Sequence, residues 1–454
     1  MKSLVGSLRV GAPVQGATVV TVVEIARGDQ MLADEFDFYV GIDLAATKHR
    51  ACVVDRTGKV IGEFAFEHSG PGLTDFIQSL DKLTGNISVD HIAIAAETPR
   101  GLVVESVLER GYLVFSINPK QLDRFRDRHT VAGAKDDRRD AFVLADSLRT
   151  DQPLFRRLAR ECANIIRLRE LSRLEDDLTQ DHNRLINQLR EQLHRYFPQL
   201  LQLSGAAEDP WLWDLIEMAP VPVAARRLTR GRIERLLKQH RIRRLTADEV
   251  ITALRVPALN LAPGTTEAAS EHALLLLPRL RLIRQQRLHT ATRMENLLDE
   301  LAATDSDRDH PGLERPTDAA ILRSLPGVGR VVAATLLAEA SQAISERDYE
   351  ALRSYAGVAP VTRQSGNKKT VMMRRGCNNR LRNAVYHWCR VATISDERSR
   401  NHYAKLRARG HSHGRALRTL ADRWLNALVA MLTAHERFDS ARWNVCVTPQ
   451  AHKG

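Results

Sequence analysis

The sequence predicts a mixed α/β domain followed by a largely all-α remainder. Between Phe38 and Asn118, short apolar runs alternate with segments of helical periodicity, as in α/β domains. Beyond Pro153, leucines recur at spacings of three, four and seven, which is typical of long helices. Hydrophobic residues make up 43% of the 454 residues, which allows a sizeable core and excludes a disordered chain.

The first domain is predicted to span residues 36–150, after a lead-in at residues 1–35 that we expect to be disordered. Its first three strands form a meander, because Thr57-Gly58 is a turn signal between the second and the third. Helices and strands then alternate, which indicates a mixed sheet. The predicted strands are Phe38–Leu44, Arg50–Asp55, Lys59–His68, His91–Ala96 and Tyr112–Asn118. The predicted helices are Gly72–Leu83, Gly101–Arg110, Pro119–Arg126 and Asp137–Arg149.

Two long helices of coiled-coil type are predicted next, within residues 151–203 and 279–304. The heptad pattern runs from Ile166 to Tyr196, and a second such helix from Arg279 to Leu301. An antiparallel helical pair, a dimerising stalk and an ordinary bundle are all compatible with the pattern. Residues 204–278 resemble an insertion, residues 317–440 the last domain, and residues 441–454 an uninformative tail.

The positive charge of the chain is concentrated in one segment. The chain carries 67 Lys and Arg against 55 Asp and Glu, a net charge of +12. Residues 361–420 contain 15 basic and two acidic residues, or +13, so the other 52 basic and 53 acidic residues sum to −1. Such a surface favours a polyanion, most often nucleic acid, although a solvated face or a membrane-surface patch would have the same composition.

Neither a membrane protein nor a disulfide framework is expected. No apolar run approaches the roughly 18–20 residues that cross a bilayer. The cysteines are odd in number and scattered, without the CxxC spacing of a structural zinc site, which favours the reducing cytoplasm. They are Cys52, Cys162, Cys377, Cys389 and Cys446.

Four carboxylates of the first domain are candidates for a metal site. Asp43 lies within a buried-looking strand, and Glu97 ends another such strand. Asp137 and Asp140 are three residues apart and share one face of a predicted helix, although Asp136 could replace Asp137 by spacing. If these groups converge at the sheet edge, they suit a hard divalent cation. Taken singly, each could be a capping or surface residue, but their order favours a ribonuclease-H-like fold.

A glycine-containing turn in the last domain is a candidate phosphate contact. Leu325-Pro326-Gly327-Val328-Gly329 leads directly into the predicted helix Arg330–Ala340. The backbone N–H groups at Gly327 and Gly329 could bind DNA phosphate at the helix start. A simple corner between two helices would give the same sequence.

Ser365 is a candidate nucleophile in a basic loop. A serine hydroxyl attacks a phosphodiester only when it is activated and its target is oriented. From the residues alone, however, a Ser-Gly pair in such a loop is more often a turn or a phosphate contact. The basic residues that follow, which could grip a nucleic-acid backbone, are Lys368, Lys369, Arg374, Arg375, Arg380 and Arg382.

In this order and spacing, the motifs closely resemble one family, the DEDD transposases of bacterial insertion sequences of the IS110 type, described as bridge-RNA-guided recombinases. The resemblance covers about 38–150 and 317–438. The matching motifs are Val40-Gly41-Ile42-Asp43, the strand-end Glu97, Lys135-x-Asp137-x-x-Asp140-Ala141, Leu325-Pro326-Gly327-Val328-Gly329, and Gly357-x-x-Pro360 followed by Gln364-Ser365-Gly366.

The resemblance implies a RuvC-like N-terminal domain in which Asp43, Glu97, Asp137 and Asp140 hold Mg²⁺. It also implies a C-terminal transposase domain in which Ser365 forms a covalent phosphoserine link to DNA. From its own residues, the turn at Gly327 and Gly329 in that domain is predicted to be a helix-hairpin-helix-like motif. The two sites act together across protomers, in a dimer that pairs into a tetramer on donor and target DNA. A structured noncoding (bridge) RNA specifies both sequences, and a bacterial, nucleoid-associated location in the cytoplasm follows.

Three functions remain open at this stage. The first is an RNA-guided, Mg²⁺-dependent recombinase with a serine nucleophile, which excises and inserts a mobile element. The second is a hydrolytic RuvC-like nuclease of the junction-resolvase type, in which water attacks and the serine only contacts phosphate. The third is a non-catalytic nucleic-acid-binding protein.

Overall fold

A computed structural model describes residues 36–117, 119–129, 137–257, 260–303, 315–366 and 368–441. The lead-in that we expected at residues 1–35 and nearly all of the tail lie outside these residues. The chain divides into two compact units, the first extending to Arg160 and the second beginning at Glu161.

The first unit is built on a six-stranded mixed sheet. Its strands are β1 (Phe38–Asp43), β2 (Lys48–Asp55), β3 (Val60–Glu67), β4 (Ile92–Ala96), β5 (Leu113–Ser116) and β6 (Arg156–Arg157). Their order is β3-β2-β1-β4-β5-β6, with β4 parallel to β1 and β5 parallel to β4, whereas β2 and β6 are antiparallel to their neighbours. The predicted mixed α/β sheet is confirmed, and its strand order is consistent with a ribonuclease-H-like domain. Strand β6 was not predicted, because two residues are too few to show alternation.

Helices cover both faces of this sheet. They are α1 (Gly70–Thr84), α2 (Leu102–Glu109), α3 (Pro119–His129) and α4 (Asp137–Asp151). Alternation along β1 divides the core, since Val40 and Ile42 pack with α1 and α2, whereas Tyr39 packs with α3 and α4. The face covered by α3 and α4 is the one that carries the candidate carboxylates.

The second unit is organised around two long helices, α5 (Ala163–Tyr196) and α11 (Thr265–Ala303), which pack against each other. The start of α5, at Leu168, shares a core with Leu298 near the end of α11. The end of α5, at Leu193, shares another core with Ala273 near the start of α11. The two helices are therefore antiparallel. Of the three arrangements compatible with the sequence pattern, the antiparallel pair within one chain is the one that the structure shows.

Helix α11 differs from the prediction at its start. We expected it to begin at Arg279, after Pro278, but it begins at Thr265 and continues through the proline. Proline inside a helix costs about 3 kcal/mol. Leu276, Leu277 and Leu280 are buried on either side of Pro278, and each such side chain stabilises the fold by about 1.5–3 kcal/mol, which offsets that cost.

Short helices complete the second unit around two cores. Residues between the long helices form α6 (Gln199–Leu203), α7 (Pro210–Met218), α8 (Pro222–Ala225), α9 (Arg230–Gln239) and α10 (Ala247–Arg255), which bury Trp211 and Trp213. The C-terminal part contains α12 (Asp318–Ser324), α13 (Arg330–Glu339), α14 (Ser341–Ser345), α15 (Tyr349–Tyr355), α16 (Asn379–Ser395), α17 (Glu397–Ala408) and α18 (His413–Ala434). It also contains a hairpin of β7 (Val361–Ser365) and β8 (Lys368–Met372). Within the described ranges, no helix is both long and apolar enough to traverse a bilayer.

Candidate functional site

Asp43 and Glu97 lie at the same edge of the sheet. Strands β1 and β4 are parallel neighbours, with Ile42 opposite Ala96. Asp43 and Glu97 therefore take the next register position, at the carboxyl ends of the two strands. Both are half-buried. The sequence predicted this convergence from two strand ends, and the register supplies the physical reason for it.

Helix α4 brings its N-terminus to the same edge. A Cβ atom placed on Gly41 would lie 2.0 Å from the carbonyl oxygen of Ala141, so α4 crosses directly over β1 at this glycine. At the other end of α4, Arg149 donates a 3.4 Å hydrogen bond to the carbonyl of Arg56, and Arg56 is paired with Asp37 before β1. The helix therefore runs opposite to β1 and begins near Asp43.

Asp140 is held by an arginine that the sequence did not single out. Its carboxylate oxygens accept hydrogen bonds from Nε and Nη2 of Arg126 at 2.8 and 3.0 Å, and Asp140 is only 3% exposed. Although burial lowers the pKa of the Arg126 guanidinium, the hydrogen bond to Asp140 raises it above its ordinary value. Arg126 was missed because it is one of several charged residues of α3. A bidentate pair of this kind occupies the carboxylate, so Asp140 could bind an ion only after Arg126 moves away.

The donor chemistry at this edge is compatible with a magnesium ion. Asp43 and Glu97 offer carboxylate oxygens, the ligands that Mg²⁺ prefers. Among the side chains that the structure describes, no three His, Cys, Asp or Glu residues gather closely enough to hold an ion. Asp137 is the first residue of α4, but its side chain lies outside the described residues, as does Asp136. Of the four proposed ligands, Asp43 and Glu97 are therefore the two that the structure describes without the bidentate contact from Arg126 that holds Asp140.

Ser365 is presented at the end of a hairpin. It is the last residue of β7 and lies opposite Lys368 of β8, whereas we expected it in a loop. Gly366, with a φ of +55°, begins the reversal of the chain and is favoured there because left-handed backbone suits glycine. Ser365 is exposed, and in the described part of the chain its hydroxyl has no hydrogen-bond partner. The hydroxyl is accessible, but the hairpin itself does not activate it.

The hairpin register separates the cations around Ser365 into two faces. Side chains of a strand alternate, so Arg363 shares a face with Ser365. Lys369 pairs with Gln364 and belongs to the other face. Arg363 is therefore a candidate phosphate contact that sequence reasoning missed. Its position two residues before the serine was the available signal.

The other predicted backbone-gripping cations differ in what they contact. Arg380 forms ion pairs with Asp176 and Asp177 of α5 at 3.1 and 3.3 Å, which ties α16 to the long helix. Arg374 donates to the carbonyl of Ala359 at 3.3 Å, and Arg382 donates to the sulfur of Cys377 at 3.7 Å. Lys369 and Arg375 are exposed, and the side chain of Lys368 lies outside the described residues.

The glycine-containing turn packs against the protein on one side. Gly327 has a φ of +83°, and a Cβ there would lie 2.8 Å from the backbone nitrogen of Ala392 in α16. The Trp388 indole also donates a 2.9 Å hydrogen bond to the carbonyl of Pro326. Gly329, in contrast, is exposed at the start of α13. The turn is therefore a corner between helices at Gly327, and Gly329 is the better placed of the two for a phosphate.

A cationic cluster lies between α17 and α18. Arg423 donates a 2.9 Å hydrogen bond to Nδ1 of His402, which must then be unprotonated. Burial, together with the charges of Arg423, Arg409 and Lys405, lowers the pKa of His402 to about 4. His402 and Lys405 share one face of α17 because they are three residues apart, and Arg409 follows directly after the last residue of the helix. A bound anion at this surface would reduce the electrostatic repulsion among Arg423, Arg409 and Lys405.

Comparison with known proteins places both ends of the chain among transposases. A family model described as "Transposase", for DEDD transposases of IS110 elements, matches residues 40–198. A second, "Transposase IS116/IS110/IS902 family", matches residues 319–404. The chain is 32% identical to "Mini-circle putative transposase for IS117" of Streptomyces coelicolor, over 91% of this chain and 98% of that protein. It is 46% identical to "Putative transposase y4uE" of Sinorhizobium fredii, over 52% of this chain and 66% of that protein.

Proposed function

Because the chain belongs to the IS110 family of DEDD transposases, we propose that it excises and integrates a mobile DNA element through attack of Ser365 on a DNA phosphodiester. Membership of the family makes it an enzyme that acts on DNA. The observation that carries the serine mechanism is the exposed Ser365 hydroxyl at the end of the hairpin, with Arg363 on the same strand face.

The four carboxylates form the second part of the proposal. Asp43 and Glu97 would hold Mg²⁺ with Asp137, and Asp140 would join them when it is released from Arg126. The ion would neutralise negative charge on the scissile phosphate while the DNA oxygen departs from phosphorus. Arg126 keeps Asp140 compensated while no ion is held, since an unpaired buried carboxylate is costly.

In the proposed reaction, Ser365 exchanges one phosphodiester bond for another. Its Oγ loses a proton and forms a bond to phosphorus, the bond from phosphorus to the departing DNA oxygen breaks, and that oxygen takes up a proton. The product is a phosphoserine link that can be rejoined to another strand by the reverse step. Arg363 would orient the phosphate and stabilise the charge that develops on it.

The basic residues of 361–420 would hold the DNA backbone beside the hairpin. Exposed Lys369 and Arg375, and the cluster of Lys405 and Arg409, are suited to phosphate contacts that carry no sequence information. Sequence choice must then come from another source, which we propose is a structured noncoding RNA, as the family resemblance implies. The same resemblance supports a homodimer that assembles into a tetramer on donor and target DNA.

The serine mechanism is tested by Ser365→Ala with Ser395→Ala as a matched control. Ser395 is also exposed, but it lies at the end of α16 and donates to the carbonyl of Val391. On denaturing gels, the wild type and the control should yield DNA covalently bound to protein, whereas Ser365→Ala should bind DNA without forming the adduct. A Ser365→Ala protein that still recombines DNA would exclude the mechanism.

The hydrolytic alternative leaves a different product. Free 5′-phosphate ends without any protein-linked DNA would indicate that water is the attacking group. Asp43→Asn separates both enzymatic functions from a non-catalytic binding protein, because it should abolish strand cleavage in either enzyme. Unchanged transposition by Asp43→Asn in cells would favour the non-catalytic function.

A further inference from the structure

The region between the two long helices carries a second concentration of positive charge. From Arg226 to Arg255 the chain contains ten basic residues and three acidic ones. The net charge of the residues outside 361–420 is close to zero and does not reveal this region, because acidic residues elsewhere in the chain balance its positive charge. All ten of these basic residues are exposed. They are Arg226, Arg227, Arg230, Arg232, Arg235, Lys238, Arg241, Arg243, Arg244 and Arg255.

Helix α9 displays part of this charge on its outer face. The helix buries Ile233, Leu236 and Leu237 in the core around the tryptophans. Arg232, Arg235 and Lys238 are exposed and follow one another at intervals of three residues, so they lie on neighbouring positions of the helix surface. Like charges at this spacing destabilise a helix slightly, and a bound anion would offset that repulsion.

Most of these cations lack the acidic partners that arginines have elsewhere in the unit. Arg281, for example, is bonded to both Asp214 and Glu217. Near α9, Arg230 pairs with Glu234 and Asp248, and Arg244 pairs with Asp209. In the described ranges, none of the other eight has a carboxylate within ion-pair distance.

The surface is separated from the C-terminal core along the helical pair. Arg173 of α5 bonds Glu339 of α13 at 2.9 Å, whereas Leu193 of the same helix lies in the core that supports α9. These positions are twenty residues apart in α5, which corresponds to about 30 Å. Duplex DNA rises about 3.4 Å per base pair, so this distance corresponds to roughly nine base pairs.

We propose that α9 and the turn that follows it form a second DNA-binding surface, which grips the phosphate backbone of duplex DNA without reading its sequence. Arg232, Arg235 and Lys238 would contact phosphates, with Arg241 and Arg243 extending the surface beyond the helix. A membrane surface fits less well, because interfacial helices carry large apolar side chains on the face that they bury, whereas the exposed positions of α9 are charged, amide or glycine residues.

The inference rests on the action of the family on DNA, not on the serine or the metal chemistry. Its test is therefore a binding measurement, which stays informative even if Ser365 proves not to be the nucleophile. Failure of the serine mechanism would appear as a missing covalent adduct. Failure of the present proposal would appear as unchanged affinity for DNA.

The experiment compares the full chain with the triple variant Arg232→Gln, Arg235→Gln and Lys238→Gln. Fluorescence anisotropy with a random duplex of about 30 base pairs, between about 50 and 200 mM salt, gives the salt dependence of the affinity. Each phosphate contact contributes about one to the slope of log affinity against log salt, so the slope should fall by about three. Affinity should fall by a similar factor for unrelated sequences.

The control removes the same charge elsewhere in the unit, with Arg184→Gln, Arg284→Gln and Arg293→Gln on the exposed sides of the long helices. It should lower the slope far less than the α9 variant does. If the α9 variant has the same slope as the wild type, the proposal is wrong, and the basic residues of α9 only face solvent. A loss of affinity for duplex RNA of equal length, without a loss of affinity for DNA, would also overturn the proposal, because the surface would then bind RNA. Thermal melts of both variants establish that folding is intact.

Discussion

Gly41 of β1 lies beneath Ala141 of α4 so closely that a Cβ atom on the glycine would come within 2.0 Å of the alanine carbonyl oxygen. This contact sets the height of α4 above the sheet. It therefore decides how near the first turn of α4, with Asp137 and Asp140, comes to Asp43 at the end of β1. The glycine thus links a backbone contact to the geometry of the proposed metal site.

Gly41→Ala should strongly destabilise the first unit. The added methyl group would meet backbone atoms of α4, which cannot move aside as a flexible side chain would, and overpacking of this kind costs about 3 kcal/mol or more. Urea unfolding followed by circular dichroism measures the loss. Gly70→Ala is the control, because a Cβ at Gly70 meets nothing within 4 Å. Equal stability of the two variants would show that α4 can be displaced without cost.

Arg126→Gln should lower the stability of the protein, because the buried Asp140 carboxylate loses its ion-pair partner. Removing one member of a buried ion pair typically costs about 3–5 kcal/mol, because the remaining charge is left without compensation. Arg124→Gln, an exposed change on the same helix, should cost far less. If Asp140 is a metal ligand, Mg²⁺ should raise the melting temperature of Arg126→Gln more than that of the wild type. An equal rise in both proteins would argue against Asp140 as a ligand.

Glu339 should make the second unit sensitive to acid. Its side chain is 2% exposed and accepts hydrogen bonds from Arg173 at 2.9 Å and Asn378 at 2.8 Å. Burial raises the pKa of Glu339, but these two hydrogen bonds and the charges of Arg173 and Arg169 together lower it by more, so the net shift is downward. Its contribution to stability is therefore complete above the ordinary glutamate pKa of about 4.3 and is lost as pH falls through the lowered value.

Unfolding of Glu339→Gln measured against pH tests this assignment. The variant should be less stable than the wild type at neutral pH by about 3 kcal/mol, because Arg173 loses its buried partner. The difference should shrink below pH 4. Glu350→Gln, at an exposed carboxylate paired with Arg353, is the matched control and should change stability by less than about 1 kcal/mol. A constant difference at all pH values would contradict the linkage.

His402 should report DNA binding at the basic segment. Its pKa is lowered to about 4 by burial and by the neighbouring cations, so the ring is neutral at pH 7 in the free protein. Phosphates bound at Lys405 and Arg409 would offset those cations and raise the pKa of His402 toward the ordinary value of about 6.5. NMR titration of the histidine rings, assigned with His402→Gln, measures the change. An unaltered pKa in a DNA complex would place the DNA elsewhere.

Apolar runs and helical periodicity were enough to predict the strands and helices that carry the candidate carboxylates. Short apolar runs predicted β1 and β4, whose ends hold Asp43 and Glu97, and heptad spacing predicted α5 nearly to its boundaries. The hairpin around Ser365 was not predicted as paired strands. Its residues are largely exposed, so they lack the apolar alternation that marks a strand packed on a core.

The sequence by itself determined the fold class, the order of the elements and the residue types available for chemistry, because these depend on local spacing and composition. Only the tertiary structure decided which polar groups meet. It paired Arg126 with Asp140, placed Arg363 beside Ser365 on one strand face, engaged Arg380 with α5 and carried helix α11 through Pro278. Such contacts depend on burial and on groups distant in the chain, and a local pattern contains neither.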